Sequence, residues 1–104
     1  MNWVTVELWL GTTKELEDDF TAASETRLTK EQEVEEGISI RQLLDRLAKR
    51  NPYFAQKVYN LESKSLYPHL IMNYNNQVIS SYVGYEKNIE NGDKIIIFPV
   101  YDGG

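Results

Sequence analysis

Four large apolar residues in succession, Ile95-Ile96-Ile97-Phe98, stand between the turn signal Asn91-Gly92-Asp93 and Pro99. A short, mostly β-branched run bounded by turn residues reads as a strand buried on both faces. Pro99 cannot donate to a ladder, so the sheet is expected to stop there. The last five residues, Val100-Tyr101-Asp102-Gly103-Gly104, read as a flexible tail over residues 100–104. The core of such a chain has to be built around that strand, while the tail has little to pack with. Terminal glycines also arise from frayed ends and cloning remnants. Physically, a residue without Cβ lets its backbone approach another molecule closely, so Gly103-Gly104 can enter a channel too narrow for side chains.

The 104 residues suit a single domain over 1–104. No run of 18 apolar residues is present, and Met1-Asn2-Trp3-Val4 lacks the basic-then-apolar pattern of a leader. Both point to a cytoplasmic protein. A formal net charge of −5 argues against nucleic acid and anionic membranes as partners. The charge is uneven: residues 1–36 carry ten acids and three bases. A solvated acidic face accounts for this, and a basic partner is the alternative. Absence of cysteine excludes disulfides, thiolate metal sites and a cysteine nucleophile.

Trp3 to Leu10 alternates, with Val4, Val6, Leu8 and Leu10 on one face and Trp3, Thr5, Glu7 and Trp9 on the other, which predicts a half-buried strand. Residues 12–28 form an enlarged acidic loop anchored by Leu16, Phe20 and Leu28, with a helical turn near 14–20. Residues 29–36 are a weaker second strand, an edge protected by its glutamates. Ser39-Ile40-Arg41-Gln42 fits a capping box, and Ile40, Leu43, Leu44, Leu47 and Ala48 follow helical spacing up to the stop at Asn51-Pro52. Phe54, Val58, Tyr59 and Leu61 suggest a short second helix before a polar loop. Residues 70–74 and 77–79 form a hairpin across Asn75-Asn76, and a helical turn is expected near 85–89. With the last strand parallel to the first, the result is an α+β, ubiquitin-like β-grasp of about four to five strands on one main helix.

That order, the segment Gly37-Ile38-Ser39-Ile40-Arg41-Gln42-Leu43-Leu44-Asp45-Arg46-Leu47, the strand and turn at 71–76, and the combination of Gly92-Asp93, apolar strand, Phe98-Pro99 and Gly103-Gly104 resemble the MoaD/ThiS sulfur-carrier family. The resemblance spans most of the chain outside 12–28 and 53–69. In the tail, Val100, Tyr101 and Asp102 replace the proline, valine and small residue usual in MoaD-like members, and Asp102 adds a negative charge beside the terminus. These departures point to a specialised member.

The resemblance implies a non-catalytic carrier that binds no cofactor itself. A partner similar to the ubiquitin-activating enzymes uses ATP to adenylate Gly104, and a sulfur donor converts the acyl-adenylate to a thiocarboxylate. Tyr101, Asp102 and Gly103 thread into the partner, while Phe98 and Pro99 dock on it. A MoaE-like catalytic subunit then takes the sulfur for molybdopterin synthesis. A ThiS-like carrier for thiamine or another sulfur metabolite, and a ubiquitin-like modifier conjugated through Gly104, remain open. So does an interaction domain with an idle tail.

Other chemistry is sparse in the residues. His69 is the single histidine, which leaves no two-histidine metal site. Glu33, Glu35 and Glu36 read as a charged edge rather than a cation site, the seven tyrosines as packing, and no glycine-rich phosphate loop occurs.

Overall fold

Val4, Val6 and Leu8 are buried along Asn2–Leu8 (β1) while the residues between them turn outward, as period-two alternation requires. The computed structural model describes residues 1–11, 14–80 and 84–100. In it β1 pairs antiparallel with β3 (Leu28–Val34) once β2 (Thr21–Ala22) has formed a short outer pairing with Leu28 and Thr29. On its other side β1 runs parallel to β8 (Asp93–Pro99), with Val6 opposite Ile95. Beyond β8 lies the hairpin of β6 (Leu70–Tyr74) and β7 (Gln77–Ile79), giving the order β2-β3-β1-β8-β6-β7. A separate two-stranded ladder joins β4 (Tyr59–Asn60) to β5 (Ser65–Leu66).

One face of the sheet is covered by α2 (Ile40–Arg50), whose Ile40, Leu43, Leu44, Leu47 and Ala48 are all buried. They share one cluster with Val4, Val6, Leu8, Met72, Ile95 and Ile97. Both halves of the capping box form: Ser39 accepts from the Gln42 N–H, and Gln42 accepts from the Ser39 N–H. This is the expected α+β β-grasp. Its main sheet has six strands rather than four to five, because the acidic loop contributes β2.

Several local expectations need correction. β8 is buried on one face only: Ile95 and Ile97 are fully buried, whereas Ile96 and Phe98 are half-buried because the helices lie on one side of the sheet. The ladder also passes through Pro99, which pairs with Leu70, and the Val100 N–H donates to the His69 carbonyl at 2.8 Å. A proline removes one donor, not the pairing beyond it. Asn51-Pro52 ends α2 but starts α3 (Pro52–Lys57), since the Asn51 side chain accepts from the Tyr53 and Phe54 N–H groups. Val58 caps that helix and Tyr59 belongs to β4.

The expected turn in residues 14–20 is α1 (Lys14–Glu17), with Leu16 and Phe20 buried and Phe20 stacked on Phe54 at 6.2 Å. Near 85–89 the chain makes a 3-10 turn at Gly84–Glu86 instead. The tail positions Tyr101, Asp102, Gly103 and Gly104 lie outside the described residues.

Candidate functional site

Residues on the open face of the sheet converge where β8 delivers the chain to the tail. The parallel register sets Leu8 beside Ile97, which brings the next outward pair, Trp9 and Phe98, together with ring centroids 5.9 Å apart. The Trp9 N–H bonds to the Ile97 carbonyl at 2.9 Å, so β1 and β8 stay joined to this point. The turn between β2 and β3 is tied to the same end: the Gly11 N–H donates to the Thr26 carbonyl at 3.2 Å. That places the Arg27 guanidinium 4.2 Å above the Trp9 ring. Trp9, Thr26, Arg27, Phe98 and Pro99 line a shallow hollow of about 470 Å³.

Glu7 sits beneath this cluster. Its carboxylate accepts from the Trp9 indole N–H at 2.9 Å and pairs with Lys94 Nζ at 2.8 Å. Burial pushes its pKa up, but the bonds from Lys94 and Trp9, with the positive charges of Lys94 and Arg27, hold it below the usual carboxylate range. Glu7 is therefore anionic and already engaged. On the helix side of the tail's root a second cleft of about 440 Å³ is lined by Leu10, Leu16, Tyr53, Lys57, Tyr67 and His69, among others.

The opposite end of β8 explains the Asn91-Gly92-Asp93 motif. Gly92 has φ +90°, a region that favours glycine, and its N–H donates to the Trp3 carbonyl at 2.8 Å. Asn91 accepts from the Trp3 N–H. Asp93 accepts from the Glu90 N–H, Asn75 Nδ2 and the Tyr74 hydroxyl, which locks the β6–β7 turn to β8. The motif thus fixes β8 between β1 and β6, and so aims its far end.

Phe98 and Pro99, the two residues expected to dock on a partner, line the shallow hollow, and Val100 begins the tail beside it. Sequence reasoning missed Arg27, which lay in a stretch read as loop. Trp9 was placed on the outward face, but only the register puts it against Phe98. His69 contributes its backbone carbonyl to Val100 and an exposed side chain to the second cleft. Glu35 pairs with Arg46 through both oxygens, and that pairing pulls its pKa down to about 2. Among the described residues no cluster of three or more His, Cys, Asp or Glu side chains is arranged to hold a metal.

A sequence model of the ThiS family matches residues 20–104, a span that contains Phe98-Pro99 and Gly103-Gly104. The chain belongs to the ThiS family. No curated protein sequence matches it. In three dimensions this ThiS-family chain is similar to H. volcanii small archaeal modifier protein 1, at TM-score 0.64 and 19% identity, covering 97% of this chain and all of that one. A Pyrococcus furiosus chain named as molybdopterin converting factor, subunit 1, gives TM-score 0.60 and 18% identity over 97% of this chain and 100% of its own. A chain of the Amycolatopsis orientalis BexX/CysO complex gives 0.57 and 20% over 97% and 99%. These likenesses establish a shared ubiquitin-like β-grasp. Small carriers of the ThiS and MoaD kind are generally non-catalytic.

Proposed function

We propose that this ThiS-family protein is a sulfur carrier, acting in molybdopterin synthesis as the small partner of a catalytic subunit. The family match running through Gly103-Gly104 carries the reading. A carboxylate resists nucleophiles until it bears a good leaving group. In the proposed cycle the Gly104 carboxylate attacks the α-phosphorus of ATP on a ubiquitin-activating-enzyme-like partner, releasing pyrophosphate. A sulfur nucleophile displaces AMP and leaves a thiocarboxylate, so sulfur is held without any cysteine. The carrier itself supplies no acid, base or metal to these steps. Tyr101, Asp102 and Gly103 thread the terminus into the partner while Phe98 and Pro99 dock beside it. The likeness to the Pyrococcus chain named as a molybdopterin converting factor subunit supports the molybdopterin branch, and a thiamine or other sulfur pathway is the alternative.

The likeness to a protein named as a modifier supports a second reading, in which Gly104 is joined to lysines of other proteins. Intact mass spectrometry after incubation with the adenylating partner, ATP and a sulfur donor tests the first. A gain matching one oxygen replaced by sulfur, localised to Gly104, is expected. An unmodified terminus together with higher-mass conjugates in lysate would move the assignment to modifier.

A further inference from the structure

The chain has four arginines, and three of them meet a carboxylate: Arg41 meets Glu86, Arg46 meets Glu35 and Arg50 meets Asp19. Arg27 is the exception among the described residues, although it lies within the acidic segment. Its side chain is exposed and stacked on Trp9, and the nearby Glu7 is taken by Lys94 and the indole N–H. An aromatic face restrains a guanidinium while leaving the N–H donors around its rim available for a bidentate bond to a carboxylate. Beside it the hollow offers the apolar walls of Trp9, Phe98 and Pro99. Arginine and tryptophan next to an apolar recess are the residue types on which binding energy concentrates.

We propose that Arg27, held on Trp9, is the specificity contact for the adenylating partner and takes an Asp or Glu side chain whose apolar neighbour fills the hollow. This rests on the carrier reading above, because adenylation is the step every use of the tail shares. Position supports the choice. From Pro99 to Gly104 the chain spans at most about 18 Å, so docking here confines the terminus to a short arc around Arg27. The carboxylate is assigned to the partner, since Glu7, the acid hydrogen-bonded to Trp9 beneath the cluster, is already taken by Lys94.

The test is ATP–pyrophosphate exchange by the adenylating protein, with the full chain as the varied substrate. R27E is expected to raise KM about tenfold or more with kcat nearly unchanged, because it sets two carboxylates face to face. R27K, which keeps the charge and loses the planar fork, should fall between wild type and R27E. K49E makes the same charge change on the exposed, far end of α2 and should match wild type. Should R27E fail to fold by thermal melting, R27Q replaces it and must show the KM rise. Wild-type KM in R27E or R27Q, or an equal rise in K49E, overturns the docking contact alone. No exchange with the wild-type chain overturns the carrier reading, and this contact with it.

Discussion

Asp93 anchors the end of β8 opposite the candidate site. Three donors converge on its carboxylate, so in Asp93→Asn the new amide NH2 faces either the Asn75 Nδ2 group or the Glu90 N–H, neither of which accepts, and one donor is stranded. A loss of about 1–3 kcal/mol is expected in chemical denaturation at neutral pH. Burial raises the Asp93 pKa, but the bonds from Tyr74, the Glu90 N–H and Asn75 outweigh it and leave the value below the ordinary 3.8. Its contribution is therefore complete above pH 3.8 and disappears as pH falls through the lower folded value. Asp93→Asn should flatten that acid limb. On the alkaline side burial raises Tyr59, Tyr74 and Tyr85, the last to about 12. Their neutral forms stabilise the fold below the ordinary value of 10.0, and this is lost as pH climbs beyond it. Gly84 is a steric case: an added Cβ would lie 2.5 Å from Ile79 Cβ. Gly84→Ala is expected to push β7 outward and cost about 1–3 kcal/mol, read as a lowered melting temperature.

At the scale of elements, α2 was legible because its signals are local. Ser39, Gln42 and the spacing of Ile40, Leu43, Leu44 and Leu47 all act within four residues, and the helix forms where they place it. Ser39→Ala removes the acceptor for the Gln42 N–H and should cost about 1 kcal/mol in thermal or chemical unfolding. β8 was legible in kind and misjudged in exposure. Ile96 and Phe98 are as apolar as Ile95 and Ile97, and composition cannot say that helices cover only one side of the sheet. The Asn75-Asn76 turn formed as read, both residues taking positive φ (50° and 71°), which asparagine tolerates. The stretch from Tyr59 to Leu66 was missed as a ladder. Two-residue strands carry no periodicity, and the turn is held instead by Asn60, whose side chain accepts from the Glu62 and Ser63 N–H groups.

For the whole molecule, stability and carrier chemistry should separate. Among the described residues the buried cluster ends with Ile97 and the ladder with Pro99 and Val100. Deleting Gly104 takes nothing from the described core or ladder, so the melting temperature is expected to stay at the wild-type value while thiocarboxylate formation is abolished. A deletion variant that still accepts sulfur would end the carrier reading. No helix among the described residues is long and apolar enough to cross a membrane.

Whatever depends on neighbours along the chain was determined by this sequence alone: the capped helix, the alternating first strand, the asparagine turn and the tail motif that carries the family resemblance. The tertiary structure decided the rest. Only the parallel register of β1 and β8 sets Trp9 against Phe98, and only the tether from Gly11 to Thr26 carries Arg27 over the indole. These contacts join residues far apart in the chain, so no spacing within any one segment encodes them. Their geometry comes from how the twisted sheet is assembled around one helix.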